Sequence, residues 1–109
     1  MSRVTDDRIR NDQLYHHYLG DPLEVLLLYP DGQSEVRVVG PDLAAGMRPQ
    51  LLVPGGTFHA GRVRPGGDYA LLGTSVWARA EPSDVEAGDA GRLTAAYPSA
   101  SAAIAAFAK

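Results

Sequence analysis

Leu51-Leu52-Val53-Pro54-Gly55-Gly56-Thr57-Phe58-His59-Ala60 is the stretch that decides how this chain folds. An apolar, β-prone run enters a Pro-Gly-Gly corner, where glycine can take backbone angles closed to other residues. A second β-prone run, carrying a histidine, leaves it. Side chains alternate across a strand, so Thr57 and His59 share one face and Phe58 and Ala60 the other. One of those faces is expected to line a cavity, and the corner then aims His59.

Downstream of the corner, Thr57 to Val63 reads as a strand, Arg64-Pro65-Gly66-Gly67-Asp68 as a turn, and Tyr69 to Trp77 as another strand. Upstream, two prolines and two glycines between Gly40 and Pro49 leave room for no more than a turn of helix. Before that loop, Leu23 to Tyr29 is a near-continuous apolar run, Pro30-Asp31-Gly32 is a turn, and Glu35-Val36-Arg37-Val38-Val39 alternates with period two. These make a hairpin with one wet strand. Leu14 to Leu19 is aromatic-rich and β-prone, and Gly20-Asp21-Pro22 stops it. Short strands at this spacing predict an all-β sandwich or barrel.

The two ends differ from this middle. Met1 to Asp12 is polar, without a clear period, and reads as an arm or a ragged first strand whose order depends on a partner surface. Gly91 to Tyr97 can form a short helix, and Ala100 to Lys109 a second, with Ile104 and Phe107 three apart. The expected organisation is a single domain over 1–109, with an N-terminal arm (1–12), a β-barrel core (13–80) and a helical tail (88–109).

Composition limits the function. A chain of 109 residues supports one modest core. Ten Lys and Arg against thirteen Asp and Glu give a net charge of −3, with the basic residues scattered, which argues against a nucleic-acid face. There is no cysteine, so neither a disulfide nor a thiolate metal site exists, which suits a reducing cytoplasm. No apolar run approaches the ~20 residues of a membrane-spanning helix, so no membrane partner is expected. Ser75 and Ser83 lie in no nucleophile elbow, and the glycine-rich turns lack the lysine and helix of a phosphate cradle.

Pro54-Gly55-Gly56-Thr57-Phe58-His59 matches the second cupin motif, Pro-x-Gly-x-x-His, and Gln13 to Gly20 has the Glu-to-Gly spacing of the first. The chain resembles a cupin. Tyr15 to Leu27, Gly40 to Gly46 and Arg48-Pro49-Gln50 resemble a small cupin-like subfamily of unknown function, over about Arg8 to Trp77, and Tyr97-Pro98 also fits. The resemblance implies an antiparallel jelly-roll β-barrel with a short C-terminal helical segment, usually dimeric, with an internal pocket for small molecules and in many members a divalent metal. Relative to that subfamily the chain is expected to be N-terminally shortened, leaving a sheet edge for a second subunit to cover, with Arg3 to Asp12 crossing between chains.

The positions where metal-binding cupins carry His-x-His, a glutamate and the second-motif histidine read here Asp7, Ile9, Gln13 and His59. Isoleucine binds no metal, glutamine is a poor ligand, and two donors rarely hold zinc, iron or manganese. No cofactor is therefore expected, a divalent metal being the exception the family allows. If Gln13 points inward as the family's glutamate does, Tyr15 and His17 point inward too and His16 faces away. His59 and His17 are then the candidate acid/base residues, with Gln13, Tyr15, Gln50 and Trp77 as candidate ligand contacts. Each has a plainer reading: His59 as a satisfied core histidine, Tyr15 as aromatic packing, Trp77 as core. Histidine, with an unperturbed pKa of about 6.5, both gives and takes a proton near neutrality. The expected function is a metal-independent isomerase, epimerase, cyclase or dehydratase acting on a small carbonyl compound. The alternative is a non-catalytic small-molecule-binding cupin, and the third a metal-dependent oxygenase.

Overall fold

The computed structural model describes residues 7–9, 12–76, 85–87 and 90–107, with 7–9, 76, 85–87 and 90 given by their backbone alone. Its strands are β1 (Asp7–Ile9), β2 (Gln13–Gly20), β3 (Leu23–Leu28), β4 (Ser34–Val39), β5 (Gln50–Val53), β6 (Phe58–Val63), β7 (Ala70–Val76) and β8 (Val85–Ala87). Helices α1 (Ala90–Ala96) and α2 (Ser101–Phe107) follow, joined through a short 3-10 turn at Pro98–Ala100. The strands form two antiparallel sheets, one in the order β4-β3-β6-β1-β8 and one in the order β5-β2-β7. The expected all-β sandwich with a helical end is the observed one.

Turn chemistry accounts for the connections. Gly32 at φ +90° closes the β3–β4 hairpin, with Asp31 Oδ1 accepting from the Gln33 N–H. Gly20 at φ +88° ends β2 against the backbone carbonyl of Tyr69, where a side chain would have no room. Asp21 then accepts from the N–H groups of Asp68 and Tyr69, so one carboxylate ties the turn after β2 to the start of β7. The loop from Gly40 to Pro49 holds a single 3-10 turn at Leu43–Ala45, capped by Asp42.

β3 and β6 of the first sheet are covered on both faces, and their side chains separate into two sets. Leu26 and Leu28 of β3 and Phe58 and Ala60 of β6 pack against Leu93, Tyr97, Ala100, Ile104 and Phe107 of the helical end. The spacing of those five, three or four residues apart throughout, is one stripe continued across both helices. Arg62 adds its guanidinium over the Phe107 ring, 4.5 Å from the centroid. On the opposite face Leu23, Val25 and Leu27 meet Tyr15, Leu51 and Val53 of the second sheet. Each of these buried aliphatic side chains contributes about 1.5–3 kcal/mol.

Two strands lie outside the span read as the barrel core. Residues 7–9, read in sequence as part of an arm or a ragged first strand, form a strand within the chain's own sheet, between β6 and β8. β8 has no alternating apolar pattern to announce it, because three residues give too short a window. Arg3 and the arm residues before Asp7 lie outside the described residues. No helix among the described residues is long and apolar enough to cross a membrane.

Candidate functional site

The corner that opens β6 is built from the residues the sequence pointed to. The Thr57 N–H donates to the Pro54 carbonyl at 3.2 Å, and Gly56 takes φ +80°, which a side chain would resist. Asp12 Oδ1 accepts from the Gly55 N–H at 2.7 Å, fastening the corner to the residue before β2. The entries to β2 and β6 are thereby held together.

Alternation then sets the faces. His59 pairs with Leu27 across β3–β6, so it shares the face that Leu27 turns toward the second sheet, while Phe58 and Ala60 meet the helices. His59 is 2% exposed. From the opposite sheet Tyr15, 3% exposed, presents its ring edge-on, with centroids 5.7 Å apart and an interplanar angle of 75°. Gln13, also buried, lies two residues before Tyr15 on the same side of β2. Thr57 is buried on the His59 side of the corner, and its Oγ1 and the Nδ1 of His59 make no hydrogen bond among the described residues, although His59 as a residue is engaged elsewhere. Buried polar atoms in an apolar interior are costly unless something satisfies them, and a polar ligand can.

The other candidates separate from this group. The His17 ring belongs by alternation to the inward side, but its Nε2 lies 3.0 Å from the Asp21 carbonyl. A carbonyl only accepts, so Nε2 carries the proton and the ring serves the turn at the strand's end. Gln50 is exposed, and its side-chain nitrogen sits 3.3 Å from His16 Nδ1, on the face of the second sheet turned away from Leu51 and Val53. His16 Nε2 in turn lies 2.9 Å from Ser75 Oγ, again on that outer face. Trp77 lies outside the described residues.

A polar group that the sequence reading passed over stands at the margin of the same face. Tyr29 packs against the inter-sheet cluster and donates its hydroxyl to Glu35 Oε2 at 2.6 Å, and Glu35 Oε1 is 3.8 Å from Arg37 Nη1. Partial burial, and after it the hydrogen bond and charge of Glu35, push the Tyr29 phenol up to about 12. The signal was available in the hairpin turn, which puts Glu35 opposite Leu27 and so on the His59 side.

For a metal the donor set does not fit. Among the described residues no three His, Asp or Glu side chains stand together; Tyr15 brings a phenol against His59, and the other buried polar side chains are the Gln13 amide and the Thr57 hydroxyl. Asp7 is the cross-strand register partner of His59, which brings together in the backbone two of the four positions where the family carries ligands. Ile9 and Gln13 hold the other two, and neither is a competent ligand.

A family model described as cupin superfamily (DUF985) matches residues 3–86. The chain is a cupin. A crystal structure of a Shewanella oneidensis protein superposes on this cupin with a TM-score of 0.85 at 29% identity, over 94% of this chain and 65% of that one. The chain thus spans somewhat less than two thirds of the Shewanella protein. A hypothetical protein from Leishmania major superposes with a TM-score of 0.87 at 23% identity, over 96% of this chain and 68% of that one, which bears on the fold alone. A comparison with curated proteins found no significant match.

Proposed function

We propose that this cupin processes a small carbonyl compound between its two sheets by metal-independent acid/base chemistry, with His59 as the proton-transferring group and Gln13 and Tyr15 fixing the ligand's polar atoms. The observation that carries the reading is the placement of His59: inside the sandwich, edge-on to Tyr15, on the corner strand of the second motif. An imidazole can take a proton from carbon next to a carbonyl and return it, which is the common step of isomerisation, epimerisation and many dehydrations. A low-dielectric surrounding strengthens every hydrogen bond made to the developing enolate. Non-catalytic binding of such a compound uses the same residues and is the second reading.

The same reading includes a two-fold dimer in a cytoplasmic setting. In its support, β7 is an edge strand with no charged residue between Ala70 and Val76, and Leu71 is 53% exposed on it. Natural edges of this kind are normally covered. Light scattering that shows a stable monomer at micromolar concentration removes the dimer from the proposal.

Solvent deuterium exchange tests the chemistry before the substrate is known, because a base that removes a proton next to a carbonyl in D2O returns deuterium. With a panel of small carbonyl compounds, the parent should label at least one, and His59→Gln should slow that labelling by about 10²–10⁴-fold while remaining folded. Labelling at the parent's rate in a folded His59→Gln protein rejects the catalytic role and leaves the binding reading.

A further inference from the structure

β4 carries two charged side chains on the face that the rest of its sheet turns toward the interior. Glu35 pairs with Leu27, and Leu27 pairs with His59, so the three lie in one cross-strand row. Arg37 pairs with Val25, which belongs to the same inter-sheet cluster as Leu27. Directly opposed residues of an antiparallel ladder share a face. Two strand spacings separate β4 from β6, roughly 10 Å. Because β4 is the edge strand, the Glu35 and Arg37 side chains remain 43% exposed, at the margin of the space that His59 occupies.

Among the described residues, four arginines of the sheets and their loops differ in how tightly they are held. Arg62 and Arg64 both bind Glu24, at 2.9 and 3.0 Å, and Arg48 Nη1 donates to the Met47 carbonyl at 2.7 Å. Arg37 meets Glu35 only at 3.8 Å, beyond hydrogen-bond range. Glu35 itself is fixed by the Tyr29 hydroxyl. Tyr29 is fixed in turn, its N–H donating to the Gln33 carbonyl and its carbonyl accepting from the Tyr97 hydroxyl. The result is a guanidinium oriented by a braced carboxylate but not consumed by it. Such a fork of donors matches a carboxylate bidentately, which a lysine would not do.

Resting on the interior site described above, we propose that Arg37, oriented by Glu35 and Tyr29, is a specificity-determining residue that selects ligands bearing a carboxylate, with their carbonyl or hydroxyl end toward His59. Arg37 lies two strands from His59 and one inward-facing position out of its row, a gap that a ligand of a few carbons bridges only with the arginine head at one end and the imidazole at the other, so the ligand class is small oxo- or hydroxy-acids.

Pyruvate and its uncharged counterpart hydroxyacetone are the probes, followed by NMR through the His59 ring and the Arg37 Nε–H resonances. Pyruvate should move both and bind at least about tenfold more tightly than hydroxyacetone, the weight of one charge-assisted hydrogen bond. Arg37→Gln should remove that preference while leaving hydroxyacetone binding as it was, and Arg37→Lys should restore only part of it. Equal binding of the two probes, or a preference that survives in Arg37→Gln, overturns the proposal and leaves the interior site standing. If neither probe moves the His59 ring, the proposal falls, while the interior reading still stands or falls on the wider panel of carbonyl compounds.

Discussion

Tyr15 of the three-stranded sheet meets His59 of the five-stranded sheet edge-on, with ring centroids 5.7 Å apart. The contact joins the two sheets at the residue on which the proposed chemistry depends. Tyr15→Ala should destabilise the fold by about 3–5 kcal/mol, as loss of a buried aromatic does. Tyr15→Phe should cost much less, since it keeps the ring. A double-mutant cycle with His59→Gln, read by urea unfolding, should return a coupling of about 0.5–1.5 kcal/mol. Strict additivity would mean that the two rings merely lie near one another.

Ile104 and Phe107 seal the opposite face of the first sheet against Leu26, Leu28, Phe58 and Ala60. Ile104→Ala should lower stability by about 2–5 kcal/mol. Because Ile104 lies across the sheet from the interior, the ring resonances of His59 should keep their positions in the folded variant. A shift as large as that of a direct neighbour's replacement would show that the helical end shapes the site.

Gly20 and Gly32 share a left-handed backbone but differ in surroundings. A side-chain carbon at Gly20 would lie 2.5 Å from the Tyr69 carbonyl oxygen, whereas at Gly32 it would meet nothing within 4 Å. Gly32→Ala should cost about 1 kcal/mol from backbone strain alone. Gly20→Ala should cost clearly more, because backbone must also move. Equal thermal-unfolding midpoints for the two variants would reject this account of the turn after β2.

The raised Tyr29 phenol gives an alkaline signature. Its folded pKa of about 12 lies above the ordinary 10.0, so the protonated form is favoured in the native state. The stability this provides is complete below about pH 10 and is lost as pH rises toward 12. Tyr29→Phe should therefore show a shallower loss of stability over that window than the parent. The tyrosinate absorbance of the folded parent should also include a component, missing in the variant, that titrates late.

The β-framework was legible because its signals are local. The Pro-Gly-Gly corner, the Gly20-Asp21-Pro22 and Pro30-Asp31-Gly32 turns and the alternation through Phe58-His59-Ala60 each act over a few residues. Alternation from Gln13 likewise placed Tyr15 on the side that meets His59. What sequence could not supply was the partner of each polar side chain. His17 turns to the Asp21 carbonyl because β2 ends and bulges there, and Gln50 turns to His16 because β5 alternates the other way from Leu51. Tyr29, Glu35 and Arg37 come together only once the hairpin register is known, so a strand that reads as simply wet carries a polar group beside the interior.

The chain has three histidines, and they occupy three different settings: the interior for His59, the turn after β2 for His17 and the outer face for His16. Ring carbon–proton NMR spectra recorded while small carbonyl compounds are added therefore report directly on where ligands go. The account predicts that a bound compound moves the His59 resonances and leaves His16 and His17 in place. A bound compound that moves His16 or His17 while His59 stays fixed would contradict it.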